Sequence, residues 1–192
     1  MRLFVAVDLD EAVRRAAARL ARTIRDRLEQ AESYGVSWVA PDNLHLTLRF
    51  LGEVEDGVGA EVQAVMAAPF ALAPFDLELS GVGAFPPAGA ARVVWFGVSA
   101  GADALGRLHA EVEARLQRFG FSREVRPFRV HLTVARFRTP APSRVRDLIG
   151  AAPPGAIGRC AIRHVTLYRS RLSPKGAIYA ALARAPLGGT VV

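Results

Sequence analysis

The sequence predicts an α+β fold made of two similar halves, each built on a strand-helix-strand unit. Three observations predict it. The order strand, helix, strand occurs twice along the chain, which is an internal repeat. A near-identical tetrapeptide, His45-Leu46-Thr47-Leu48 and His131-Leu132-Thr133-Val134, stands on the second strand of each unit, 86 residues apart. The 192 residues are 51% hydrophobic and 22% charged, which excludes an intrinsically disordered chain and supplies a sizeable core.

Each element follows from local pattern. Leu3 to Val7 is a wholly apolar run, the mark of a buried strand. Asp10 caps a helix from Glu11 to about Glu32, in which Val13, Ala17, Leu20, Ile24 and Leu28 recur at amphipathic spacing. Tyr34-Gly35 and Pro41-Asp42-Asn43 punctuate the chain before the alternating strand Leu44 to Leu51. Val58 to Ala67 reads as a second, shorter helix, and Phe75 to Leu79 alternates apolar and acidic residues as an edge strand does. Gly81 to Ala91, rich in Gly and Pro, reads as a loop. The order then restarts with a buried strand over Arg92 to Val98. A helix follows over Ala102 to Phe119, carried by Leu105, Leu108, Val112 and Leu116 and closed by Gly120. Arg126-Pro127 breaks the chain ahead of a strand from Phe128 to Phe137. A short helix, Arg144 to Ile149, and strands over Cys160 to Ser170 and Ala177 to Ala183 complete the second half.

The charge balance is +7, and 24 of the 25 basic residues are arginines, Lys175 being the lysine. An anionic partner such as a phosphate or a nucleic acid fits this excess. A compositional bias toward Arg in a chain crowded with Ala, Gly and Pro fits it equally, and composition does not choose between them. Cys160 stands alone, so neither an internal disulfide nor a thiolate metal site is available, as suits a reducing cytoplasm. The apolar start ends at Asp8, too soon for a signal-peptide core, and no apolar run approaches the roughly 18 residues that span a bilayer. The expectation is a soluble, unprocessed, cytoplasmic protein without a membrane partner.

The repeated tetrapeptide carries the chemistry. Side chains alternate faces along a strand, so Leu44, Leu46 and Leu48 point to the core while His45, Thr47 and Arg49 share the opposite face. In the second copy Val130, Leu132 and Val134 go one way, His131 and Thr133 the other. Two such strands can present two imidazoles across one groove. Histidine titrates near neutrality, so the pair can act as one general base and one general acid. Threonine hydroxyls can donate to non-bridging oxygens, and nearby arginines can neutralise developing charge. Opposed acid and base groups with anion-binding hydroxyls between them suit in-line displacement at phosphorus, which points to a phosphodiester. No Asp, Glu or Cys accompanies the histidines at ligand spacing, Asp42 lying in the preceding turn, so neither a metal nor another cofactor is expected.

Paired His-x-Thr-x motifs on a duplicated strand-helix-strand plan resemble the two-histidine (2H) phosphoesterase superfamily. Within it the chain is similar to the RNA 2′,3′-cyclic phosphodiesterases of bacteria and archaea, also called the 2′-5′ RNA ligase family. The likeness runs through Arg2-Leu3-Phe4-Val5-Ala6-Val7, Trp38, the stretch Asn43 to Gly52, Arg92-Val93-Val94-Trp95, Arg126-Pro127-Phe128 and His131 to Arg136. It continues in Leu167-Tyr168-Arg169-Ser170 and Gly176-Ala177-Ile178-Tyr179. The resemblance implies a bilobal α+β fold with antiparallel sheets around a central groove, no required metal, and opening of a 2′,3′-cyclic phosphate on RNA or a nucleotide to a 2′-phosphomonoester. It implies that His45 protonates the leaving 3′ oxygen, that His131 activates water, that Thr47 and Thr133 bind the phosphate, and that Arg136 lies near it. Strict alternation from His131 puts Arg136 on the other face, so that role requires a β-bulge or an early strand end. Arg49, on the face of His45, is a further phosphate-binding candidate. The expected unit is one domain over residues 1–192, a monomer without an obligate protein partner, acting on RNA ends or cyclic nucleotides. Rival readings are a 2′-5′ RNA ligase, a relative acting on another small cyclic phosphate such as ADP-ribose cyclic phosphate, and an RNA-binding module. A binding module needs basic groups but not two matched acid-base residues.

Other residues are weighed the same way. His164-Val165-Thr166 is a third His-x-Thr without a preceding strand-helix unit and reads as structural, with Ser170 bordering the groove. His109, mid-helix between Leu108 and Val112, reads as partly exposed and not catalytic. Trp38, Phe50, Trp95 and Phe96 read as core. Phe85 in the Gly81 to Ala91 loop either offers a base an aromatic surface or sits in a plain turn. Arg123, Arg126, Arg129 and Arg138 either guide an RNA backbone or form a solvated basic face.

Overall fold

A computed structural model describes residues 1–31, 35–122, 127–150, 155–174 and 176–188. Among them the chain runs through β1 (Arg2–Asp8), α1 (Glu11–Ala31), β2 (Val36–Trp38), β3 (His45–Glu53), α2 (Asp56–Ala67), β4 (Phe75–Phe85), β5 (Ala91–Ala100) and α3 (Ala102–Leu116). It continues through β6 (Leu132–Ala141), α4 (Val145–Gly150), β7 (Ala156–Ile162), β8 (His164–Ser173) and β9 (Gly176–Pro186). The strands form two antiparallel sheets, ordered β3-β1-β8-β9 and β2-β6-β5-β4-β7. This is the bilobal α+β arrangement expected, with β1/β3 of the first repeat in one sheet and β5/β6 of the second in the other.

Local signals act as read. The Val13 amide donates to Asp10 Oδ1 at 2.8 Å, which starts α1, and the helix buries Val13, Ala17, Ile24 and Leu28. Full burial of each such large aliphatic contributes about 1.5–3 kcal/mol, so this stripe anchors the helix far more than its exposed arginines do. Gly120, at φ 73°, ends the turn after α3 in a left-handed conformation that suits glycine.

The repeats do not coincide with the lobes. Helix α1, from the first repeat, packs on β7 of the second sheet and on α4, whereas α3, from the second repeat, packs on β3 of the first sheet. A Cβ on Gly158 of β7 would meet Val13 Cγ2 at 3.0 Å, so a bare backbone there lets α1 lie close. Each half thus covers the other half's sheet, and neither buries its apolar face alone.

Four expectations change. Gly81 to Phe85 is not a loop but the end of β4, paired with β5. Gly81 sits at φ 72° beside a register shift, and a Cβ on Gly83 would lie 2.2 Å from Trp95 Cζ2, so these glycines serve a bulge and a close ring contact within a strand. Strand β4 lies between β5 and β7, so Phe75 to Leu79 is interior and not an edge. The run Cys160 to Ser170 is two strands in different sheets, because pairing passes from β4 to β1 across Arg163. Residues 127–131 precede β6 and join no ladder, so His131 stands at the mouth of its strand. The short strand β2, absent from the sequence reading, pairs with β6.

Candidate active site

One cavity of about 730 Å³ brings the two motifs together. Its walls include His45, Thr47, His131, Thr133 and Arg136, together with Phe50, Phe85 and Phe128. The two histidines are held alike. His45 Nδ1 donates to the Asn43 carbonyl at 2.7 Å and His131 Nδ1 donates to the Arg129 carbonyl at 2.6 Å, each two residues back along the chain. A ring nitrogen facing a carbonyl must carry the proton, so in each neutral imidazole the lone pair is on Nε2. On His45, Nε2 lies 3.0 Å from Thr47 Oγ1 and accepts its hydroxyl.

Their surroundings differ. His45 stacks on Phe4 at 4.8 Å between centroids, with Tyr179 edge-on at 5.4 Å, whereas His131 meets the Phe85 ring edge-on at 5.0 Å. Both imidazoles titrate below their ordinary value, chiefly because burial disfavours the charged form. The Arg136 charge lowers both further, whereas Asp8 raises His45 alone. Asp8 is the cross-strand partner of His45, and Thr166 Oγ1 and Tyr168 Oη donate to its two oxygens, each at 2.7 Å.

The bulge that Arg136 required is present. Consecutive Val94 and Trp95 pair with Ala135 and Thr133, so Val134 is an extra residue in β6, and Val134 and Ala135 are both buried. Alternation resumes one residue late, and Arg136 joins His131 and Thr133 on the cavity wall.

The first motif has the same bulge, which corrects two readings. Consecutive Val5 and Ala6 pair with Arg49 and Thr47, so Leu48 is extra and Arg49 falls out of phase with His45 and Thr47. Arg49 still borders the cavity, but it is 7% exposed, its Nε lies 2.8 Å from Glu113 Oε1 of α3, and it donates to the Ser122 carbonyl. Phe50 takes the place on the groove face; it is 51% exposed and not a core residue. Aligning the repeats would have revealed this, since Phe50 and Arg136 both stand five residues after their histidine, and Arg49 matches the apolar Ala135.

The remaining candidates separate. Phe96 is fully buried, while Trp38 and Trp95 are only partly covered and belong to the core's margin. Phe85 and Arg129 line the cavity; Arg138 is exposed, and Arg123 and Arg126 lie outside the described residues. His164 opens β8 away from the cavity lining, whereas Thr166 of the same motif is buried against Asp8. Sequence reasoning missed Asp8, which no motif marks, and quoted Phe4, Asn43, Arg92 and Tyr179 only as parts of a resemblance. Among the described residues, no three His, Cys, Asp or Glu side chains gather as a metal site, and no helix is long and apolar enough to cross a membrane.

A two-lobed antiparallel fold with paired His-x-Thr strands facing one cavity defines the class of two-histidine phosphoesterases. The family model of the 2′-5′ RNA ligase superfamily matches residues 3–174, and the chain belongs to that superfamily. A protein of Archaeoglobus fulgidus named RNA 2′,3′-cyclic phosphodiesterase is 38% identical over 93% of this chain and 96% of its own. The crystal structure of TT0787 of Thermus thermophilus superposes with a TM-score of 0.80 at 32% identity, covering 98% of this chain and 99% of that one. That of E. coli LigT complexed with 3′-AMP gives 0.73 at 28% identity, covering 98% of each.

Proposed function

We propose that this protein is a metal-independent hydrolase that opens 2′,3′-cyclic phosphates at RNA ends or on nucleotides to 2′-phosphomonoesters. The observation that carries the reading is the duplicated hold on the two imidazoles: each Nδ1 is tied to the carbonyl two residues back, so each Nε2 is the nitrogen left for proton transfer in a shared cavity. The name of the Archaeoglobus relative and the superfamily membership support the substrate class.

Asp8 supports the division of labour. A carboxylate beside His45 and, among the described residues, none beside His131 favours a protonated His45 as the acid and a neutral His131 as the base. In the proposed step His131 Nε2 takes a proton from water as the water oxygen bonds to phosphorus. The bond from phosphorus to the 3′ oxygen breaks, and His45 Nε2 delivers its proton to that oxygen. The 2′ ester survives. Thr47 and Thr133 donate to the non-bridging oxygens, and Arg136 offsets the charge that builds on them. Arg49, tied to Glu113, shapes the wall, and its charge is a background field and not a direct ligand. The protein acts as one domain and a monomer.

The test is incubation with 2′,3′-cyclic AMP and with an oligonucleotide ending in a 2′,3′-cyclic phosphate, in excess EDTA, with 2′- and 3′-phosphate products resolved. The expected product is the 2′-phosphate at an undiminished rate; a 3′-phosphate or EDTA-sensitive turnover overturns the reading. His45→Ala and His131→Ala should each lose about 10²–10⁴-fold in kcat, the contribution of one general acid or base.

A further inference from the structure

We infer that His109, in the middle of α3, is a positioning residue that holds the bulge of the first motif and through it Thr47 and Phe50. The two motif strands have the same bulge but different support. Strand β6 has β2 beside it, and just past the end of β2 the Val39 amide donates to the carbonyl of the extra residue, Val134, at 2.9 Å. Strand β3 is the edge of its sheet, and among the described residues no strand lies beyond it. There His109 Nδ1 donates to the carbonyl of the equivalent extra residue, Leu48, at 3.0 Å. The imidazole therefore does for β3 what the extra strand does for β6.

Two further contacts make the hold two-sided. One turn along the same helix face, Glu113 takes the Arg49 guanidinium, so side chains at i and i+4 of α3 secure both residues at the bulge. The His109 ring also stacks flat on Phe128, with centroids 4.2 Å apart and planes 5° apart, and Phe128 lies three residues before His131. One side chain thus touches the backbone of one motif and the approach to the other. An edge-strand carbonyl at an irregular point loses its fixed partner if that donor goes, and the bulge is then free to slip. Misplacement of about 1 Å costs up to ~10²-fold in rate.

The test separates donor from ring. His109→Phe keeps a ring for Phe128 and removes the donor; His109→Asn places an amide nitrogen near Nδ1 and removes the ring. With 2′,3′-cyclic AMP, His109→Phe should lower kcat about tenfold with KM within about twofold, and His109→Asn should restore most of kcat, a rescue that depends on geometry. Any KM change in His109→Asn then reports the loss of the Phe128 stack. These kinetics rest on the hydrolase reading, so a second measurement does not: amide NMR shifts at Thr47 to Phe50 should move in His109→Phe and return in His109→Asn, while those at Thr133 to Arg136 stay. A His109→Phe protein with wild-type kcat, a His109→Asn protein equally impaired, or shifts spread over both motifs overturns the inference. A wild-type protein without turnover overturns the substrate reading instead, and the amide shifts then decide His109 alone. If His109→Phe does not fold, His109→Ala against His109→Asn carries the same contrast.

Discussion

Raising the pH through neutrality should switch this enzyme off from an acidic optimum. Both imidazoles titrate below 6.5 in the folded chain, mainly because each is buried, with Arg136 pushing the same way. The profile of kcat/KM reports the free enzyme, where one imidazole must be charged and the other neutral. Its maximum lies between the two folded values and therefore below pH 6.5. Above that maximum the protonated imidazole is progressively lost, and kcat/KM falls toward a limiting tenfold per pH unit. Bound substrate adds a negative charge at the cavity and favours both protonated forms, so the kcat profile should sit at higher pH than that of kcat/KM. Arg136→Gln removes a charge that lowers both groups and should move the alkaline limb upward while reducing the rate. The assay is initial rates on 2′,3′-cyclic AMP from about pH 4.5 to 9 at constant ionic strength. A plateau or maximum of kcat/KM above pH 7, or an alkaline limb that moves down in Arg136→Gln, refutes the reasoning.

Other outcomes follow from the same contacts. Thr166 is 1% exposed and donates to the Asp8 carboxylate, so Thr166→Val, close to isosteric, should cost roughly 1.5–3 kcal/mol in denaturant unfolding; a loss under about 0.5 would refute the bond's role. Phe50 is half exposed on the groove face, so Phe50→Ala should leave stability nearly unchanged. If it stacks a base, the same change should weaken oligonucleotide binding by about 1–3 kcal/mol with kcat retained, read as KM or by titration. The unfolded chain protonates His45 and His131 near the ordinary imidazole value of about 6.5, and burial in the folded chain moves both to lower pH. The contribution of these two imidazoles to stability is therefore whole above pH 6.5 and lost as the pH falls, and His45→Gln should flatten that decline in urea melts at pH 5 to 7.

What could be read in advance was periodic or repeated. The apolar run of β1, the stripe of α1 and the Asp10 cap each follow a local rule and stand in the fold where their pattern put them; the duplicated His-x-Thr lines one cavity, with His131 just ahead of β6 and not within it. What could not be read were departures from period. Arg49 and Phe50 exchange faces because Leu48 is an extra residue in the ladder, and a bulge is a relation between two strands that neither strand displays alone. The glycines of β4 imitate a loop because composition does not distinguish a turn from a strand that must admit the Trp95 ring.

Residue order alone therefore determined the two-fold plan, the pair of imidazoles with their threonines, and the superfamily. Tertiary structure decided which helix covers which sheet, that Asp8 stands beside His45, and that His109 reaches the Leu48 carbonyl. The physical reason is range. Periodicity and motif are set by neighbours a few residues apart, whereas charge, burial and the partners of an edge strand come from residues 37 to 158 positions away.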